Sequence, residues 1–135
     1  MAGTFSLRIV SPEGDVLKEE VEFVILPGGS GQLGILPNHA PLIAGLDAGV
    51  IRYTQNSTIK RVAITGGFAE VIDNSAIVLA DTAELSEEID LTRAVEAKER
   101  ATVRLASHAI EIDVRRAEYA LRRAVARISA ADEKR

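Results

Sequence analysis

One run of residues is written twice near the end of this chain, and the repetition limits what that segment can fold into. Glu88, Ile89, Asp90, Leu91, Thr92, Arg93 and Ala94 recur as Glu111, Ile112, Asp113, Val114, Arg115, Arg116 and Ala117, at a constant offset of 23 residues. The correspondence continues with Arg100 and Arg123, then with Arg104 and Arg127. Each copy reads as one helix: Asp stands at the N-cap, the residues that follow are mostly Ala, Leu, Val, Glu and Arg, and neither Pro nor Gly interrupts. Two such helices on a short connection predict an antiparallel hairpin.

The repeat also lays an arginine stripe on each helix. At 3.6 residues per turn, Arg100 and Arg104 fall within about 20° of Arg93 around the axis, and Arg116, Arg123 and Arg127 do the same on the second helix. If the helices pair by their small apolar faces, guanidinium groups converge across the hairpin and repel unless an anion lies between them. Arginine's fixed fork of donors matches phosphate oxygens. A solvated basic face has the same spacing, and charged helix faces are ordinarily just surface, so spacing alone leaves both readings open.

The rest of the chain is different in kind. Residues 1–88 carry 5 Lys or Arg against 12 Asp or Glu, whereas residues 89–135 carry 11 against 8. This shift, with the change of periodicity, puts a boundary near Leu85 to Glu88 and divides the chain into units 1–86 and 87–135. With 135 residues, 47% of them hydrophobic, the chain is sized for one globular domain and a small appendage. It has no cysteine, which removes disulfides, thiolate metal sites and a Cys nucleophile. No apolar run approaches the roughly 20 residues of a membrane span, and the N-terminus lacks the basic and apolar regions of a leader, so a cytosolic location is expected.

The first unit reads as strands throughout. Phe5, Leu7 and Ile9 alternate with polar residues, and a turn follows across Ser11, Pro12, Glu13, Gly14 and Asp15. Val21 to Leu26 is a second strand, ended by Pro27 and the loop Gly28, Gly29, Ser30, Gly31. Further strands fall near Gln32 to Leu36, Leu42 to Leu46, Gly49 to Thr54, Thr58 to Thr65, Gly67 to Ile72 and Ser75 to Leu79, separated by Asp47, Asn56, Gly66, Asp73 and Asn74. Eight or more short strands with no helical period predict a β-sandwich or flattened antiparallel barrel. Aromatic residues make up only 4%, so its core is Val, Ile, Leu and Ala.

Several motifs here carry little chemistry. Gly28 to Gly31 resembles a phosphate loop, yet no Gly-Lys-Ser or Gly-Lys-Thr follows and no helix begins there, so it reads as a turn. His39 and His108 stand in different units without the partners of a metal site or a catalytic triad. Nucleic acid is a poor fit to an acidic sheet unit with no interleaved aromatic and basic residues.

The order of features has a likeness. The stretch GQLGILPNHAPL from Gly31 to Leu42, then Gly66, Gly67, Phe68, Ala69, Glu70 and Val71, then Leu79, Ala80, Asp81, Thr82 and Ala83 strongly resemble the epsilon-subunit family of bacterial rotary ATP synthases. The resemblance spans essentially the whole chain and implies a β-sandwich followed by a helical hairpin. It also implies a non-catalytic rotor part of a proton-translocating synthase, peripheral on the cytoplasmic face of the membrane. The implied partners are the gamma subunit of the stalk, the membrane rotor ring and, when the hairpin extends, the catalytic beta subunits.

The same resemblance gives the arginine stripe a ligand. In nucleotide-binding relatives, a motif of Ile or Leu, Asp, two variable residues, Arg and Ala at the start of the first helix contacts ATP; it stands here as Ile89, Asp90, Arg93 and Ala94. Positions matching the other family contacts are Glu84, Arg100, Arg123 and Arg127. Arginines on facing helices would take the phosphates, and Glu84 or Asp90 would accept from the adenine amino group. ATP is thus implied as a regulatory ligand, with no metal required by the sequence. The Ser30 to His39 loop, with Ser30, Gln32 and His39, is expected to face the membrane ring. Many relatives carry Glu where this chain has Gln32, and the amide keeps the hydrogen bonding while losing the charge. The expected mechanism is a two-state brake on hydrolysis, in which the closed hairpin covers Val114, Ala117, Leu121, Ala124, Val125 and Ile128. A plain rotor adaptor with neither nucleotide site nor regulation is the alternative.

Overall fold

A computed structural model describes residues 3–107 and 114–132. His108, the Asp113 cap and the connection between the helices lie outside them. Eight strands come first: β1 (Phe5–Ser11), β2 (Gly14–Val21), β3 (Phe23–Gly28), β4 (Gly31–Ile35), β5 (Leu42–Gln55), β6 (Thr58–Ile72), β7 (Ser75–Ala80) and β8 (Ala83–Leu85). A single 3-10 turn at Ser86–Glu88 leads into helices α1 (Leu91–Ser107) and α2 (Val114–Asp132). The expected sandwich with a following helical hairpin is therefore what the chain forms.

The strands run in the order β2-β1-β7-β6-β5-β3-β4, with β8 beside β6. Alternation in the sequence becomes the inner face: Phe5, Leu7 and Ile9 of β1 meet Val24 and Leu26 of β3, Ile51 of β5, Val62 and Ile64 of β6 and Val78 of β7 in one core. Burying a side chain of that size contributes about 1.5 to 3 kcal/mol, so this layer of aliphatic residues compensates for the scarcity of aromatic ones.

Three details depart from the sequence expectation. Residues Gly14 to Val21 form β2, where the alternation signal is weak. It is an edge strand carrying Lys18, Glu19 and Glu20, and charge on an edge blunts pairing with other chains while obscuring the apolar pattern. The pairing of β1 with β7 is parallel, from Ser6 opposite Ser75 to Val10 opposite Leu79. These strands are joined through the rest of the sheet rather than by a hairpin, so no tight turn imposes antiparallel direction.

The third departure is that four expected strands merge into two long ones. Strands β5 and β6 pair from Leu42 with Val71 to Gln55 with Thr58, interrupted only at Asp47 and Gly66. There the breakers bend the strands instead of ending them. Gly66 and Gly67 have φ of 122° and 143°, and a Cβ on Gly67 would lie 2.0 Å from the Leu79 carbonyl oxygen. Only glycine fits such a corner. Before it, Val62 to Ile64 pair with β8; after it, Gly67 to Ile72 pair with β7.

That bend gives the first half of β6 two covered faces. Val62 and Ile64 point into the sandwich, while Ala63 between them joins Val50 and Ala130 in a second small core roofed by Ile89. Ala130 belongs to α2, which packs on β5 and β6, whereas α1 packs on α2 rather than on the sheet.

Candidate functional site

The hairpin is held by small residues. Ala94 and Ala101 of α1 and Ala117 and Ala124 of α2 are buried, at the same seven-residue step in each copy of the repeat. Alanine at that step lets two helix backbones approach closely, which brings their flanking arginines together. The stripe expected to be covered is only partly so. Ala117 and Ala124 are buried and Leu121 and Ile128 half-buried, but Val114 and Val125 stay 52% and 45% exposed. The covered faces of α2 are instead largely alanine, including Ala126, Ala130 and Ala131, because one helix has to fit against both α1 and the sheet.

Polar contacts join α2 to the sandwich. The Tyr119 hydroxyl donates to the Thr65 carbonyl oxygen next to the glycine corner, and the Arg123 guanidinium lies 5.4 Å from the centre of the Tyr119 ring. Eight residues further along, Arg127 reaches Glu84 of β8. Its Nη2 donates to Oε2 at 3.2 Å, and Nε lies 2.8 Å from Oε1. The Nε–H does not point along the second contact, so that contact is Coulombic and the buried Nε–H makes no hydrogen bond.

Between the helices and the sheet lies a cavity of about 320 Å³ whose walls include Arg100 and Arg104 of α1, Arg123 and Arg127 of α2, and Glu84, Thr65 and Thr82 of the sandwich. Four guanidinium groups face one carboxylate. The Thr65 and Thr82 hydroxyls are 2.8 Å apart on the sandwich side. Such a lining presents forked donors and excess positive charge to an anion, with hydroxyls able to donate or accept.

The residues named from sequence divide into two groups. Glu84, Arg100, Arg123 and Arg127 are gathered around this one cavity, while the start of α1 does other work. Asp90 caps the helix, its Oδ1 accepting from the Arg93 N–H at 3.1 Å, and its carbonyl accepts the first helical bond from Ala94 at 3.0 Å. Ile89 packs on Val50, Ala63 and Ala130, and Ala94 is buried. Arg93 is exposed and does not line the cavity. Arg104, on the stripe, is a wall residue that the family motif alone does not name, as are Thr65 and Thr82. Thr65 carries no sequence signal beyond its place before Gly66, and Thr82 none beyond its place in the Leu79 to Ala83 segment.

Of the loop residues, Ser30 and Gln32 share a groove with Asp47, Gly67 and Phe68. His39 is at the other end of β4, where its Nδ1 is 2.6 Å from the Ala40 carbonyl oxygen and the neighbouring Asn38 N–H donates to Asn74 Oδ1 at 2.7 Å. The three are not brought together.

A further surface went unread in the sequence. On the outer face of the sheet, Val10, Leu79 and Phe68 lie in one cross-strand row and Arg8, Ile77, Glu70 and Ile43 in the next. Phe68 is 62% and Ile43 73% exposed, an apolar patch of the kind that marks a protein contact. Its signal is the run Ala76 to Ala80, apolar in both phases of the strand, which a one-sided surface sheet does not need. Among the described residues no helix is long and apolar enough to cross a membrane, and no three acidic or histidine side chains group as a metal site.

Two family models match the chain. The family model described as ATP synthase, Delta/Epsilon chain, beta-sandwich domain matches residues 4–86, and that of the long alpha-helix domain of the same chain matches residues 87–132. The ATP synthase epsilon chain of Desulfitobacterium hafniense strain Y51 is 65% identical over 131 residues, covering 97% of this chain and 98% of its own. That of Desulforamulus reducens is 52% identical over 132 residues, covering 98% and 100%. A cryo-EM structure of the Euglena gracilis mitochondrial ATP synthase contains a chain of the same fold, with TM-score 0.83 and 24% identity, over 97% of this chain and 82% of that one.

Proposed function

The chain belongs to the ATP synthase delta/epsilon family as an epsilon chain, a non-catalytic subunit of the central stalk, and from that premise we propose that its hairpin is an ATP-sensitive brake on hydrolysis. The observation that carries this reading is the cavity, because its cationic walls come from both helices while its carboxylate and hydroxyls come from the sandwich. A polyphosphate held there touches every part that must stay together for the hairpin to remain closed. Binding energy is then available only in the closed state, and a ligand shifts an equilibrium by its difference in affinity between the two states. ATP would hold the hairpin folded on the sandwich. When ATP falls, the basic helices would swing up the stalk toward the catalytic beta subunits and block rotation in the hydrolysis direction.

The two parts of the chain divide the work in this proposal. Residues 1–86 dock the subunit at the cytoplasmic face of the membrane, and residues 87–135 regulate. The apolar outer face around Ile43, Phe68 and Leu79 supports docking to the gamma subunit, since burying it would contribute without any change in the hairpin. Ser30 and Gln32 at one end of β4, and His39 at the other, are the proposed contacts to the membrane ring of the proton-translocating complex.

Titration of the isolated protein with ATP by calorimetry, with and without magnesium, tests the regulatory part. Saturable binding accompanied by slower amide exchange in residues 94–105 and 117–128 is expected. Binding of ATP with unchanged exchange in both helices would overturn the closed-state assignment, and absence of binding would leave a rotor adaptor.

A further inference from the structure

Arg127 already has an anion. Of the cavity's four guanidinium groups, its own is paired with the single carboxylate of the lining, Glu84, at 2.8 and 3.2 Å. The pair joins α2 to β8, so it also ties the hairpin to the sandwich. A phosphate oxygen approaching Arg127 therefore meets a competitor built into the chain.

The geometry of the pair makes it a replaceable partner. Arg127 keeps 21% of its side-chain surface exposed and Glu84 37%, so both remain within reach of a ligand in the cavity. The Nε–H of Arg127 is buried and makes no hydrogen bond despite the carboxylate oxygen 2.8 Å away. A buried donor in that condition gains from any acceptor that can align with it. Two oxygens of one phosphate match the guanidinium fork as well as a carboxylate does, and they bring more negative charge into a site with excess positive charge.

We infer that Glu84 is the resident counter-anion of Arg127, a placeholder that the phosphate chain of a nucleotide displaces. Within the closed hairpin Glu84 thus occupies Arg127 until nucleotide arrives and sets a threshold that nucleotide has to exceed. The identity of the ligand rests on the function proposed above; the exchange itself rests on the pair. One substitution should then have two opposite effects. Glu84→Gln keeps the size of the side chain and removes its charge, which loosens α2 from β8 while giving a polyphosphate freer access to Arg127.

The test follows the Arg127 Nε–H resonance in wild-type protein and Glu84→Gln, each titrated in parallel with inorganic tripolyphosphate and with ATP. Without ligand the two proteins should differ in the position of that resonance, because its neighbour is a carboxylate in one and an amide in the other. At saturation with tripolyphosphate the resonances should converge, and half-saturation of Glu84→Gln should come at about three- to tenfold lower concentration. Resonances that stay apart at saturation would mean that Glu84 keeps hold of Arg127, and the inference would be wrong. A half-saturation no lower than that of wild type would also overturn it. Exchange driven by tripolyphosphate with no response to ATP would sink the nucleotide reading alone. A response to ATP without convergence would sink the exchange alone, and silence toward both ligands would sink the two together.

Discussion

Tyr119 of α2 donates its hydroxyl proton to the carbonyl oxygen of Thr65, the residue before the glycine corner of β6. The contact ties the helix to the one place where the sheet turns from β8 toward β7. Space there is limited, since a Cβ on Gly66 would approach the Tyr119 oxygen to 3.3 Å. Arg123 lies over the same ring, so the tyrosine both docks the helix and supports a wall of the arginine cavity.

Tyr119→Phe removes that hydrogen bond and keeps the ring. Docking of the hairpin should weaken by about 1 kcal/mol, the usual net contribution of such a bond. Amide exchange of α2 should quicken while exchange in β1 and β7 stays as it was. Equal acceleration in both places would mean that the hairpin and sandwich open as one unit.

The cavity arginines and the motif arginine should separate in their effects. Arg100→Ala and Arg127→Ala are expected to weaken ATP binding by about 1 to 3 kcal/mol each, the range for a lost charge-assisted hydrogen bond. Arg93→Ala, which removes an exposed side chain outside the cavity walls, should cost less. Asp90→Ala acts by another route, removing an N-cap, and should destabilise the first turn of α1 by about 0.5 to 2 kcal/mol. Calorimetry with each variant orders the binding effects, and amide exchange at Arg93 and Ala94 reads the cap.

Tyr53 should give the sandwich an alkaline limit. Burial raises its phenol above the ordinary value of 10.0, and the negative charges of Glu19 and Glu87 push the same way. The folded protein then retains a proton that the unfolded chain releases near pH 10, so this contribution is whole below that pH and lost as pH rises through the raised folded value. Urea midpoints measured from pH 8 upward should fall more steeply for wild type than for Tyr53→Phe. Parallel curves would assign the alkaline loss to other groups.

How much of this could be read in advance depended on whether one residue pattern matched one environment. Phe5, Leu7 and Ile9 alternate because one face of β1 is buried, and the pattern gives the strand away. Ala63 lies between Val62 and Ile64 with both faces covered, so the same rule cannot say which side meets a helix. Gly66 was legible as a breaker, but a breaker ends a strand or bends it, and the choice depends on what packs there: a Cβ on Gly66 would meet the Tyr119 hydroxyl at 3.3 Å and the Leu46 carbonyl oxygen at 3.4 Å. The converging arginines were legible in the helical repeat because they are local to two helices. Their meeting with Glu84, Thr65 and Thr82 was not derivable from spacing, since it depends on how the hairpin lies on the sheet.

Ending the chain after Glu87 separates a brake from a passive adaptor. Every residue of the main core, from Phe5 to Ala80, and every partly buried neighbour up to Leu85 lies before that point, so the sandwich keeps its interior. The loss uncovers Val50 and Ala63, a small apolar area compared with the core that remains. The apolar face around Ile43, Phe68 and Leu79 is untouched and should still carry the truncated subunit into the stalk. Gone are both helices, three of whose arginines the cavity loses together with Arg127, and with them any state that ATP could favour. Reconstituted synthase with the shortened subunit should therefore make ATP from an ion gradient, hydrolyse it faster than with the full chain, and do so equally after incubation at low or high ATP. Identical hydrolysis rates with the two subunits across that range would mean that the hairpin restrains nothing and would leave the plain rotor adaptor as the reading of its function.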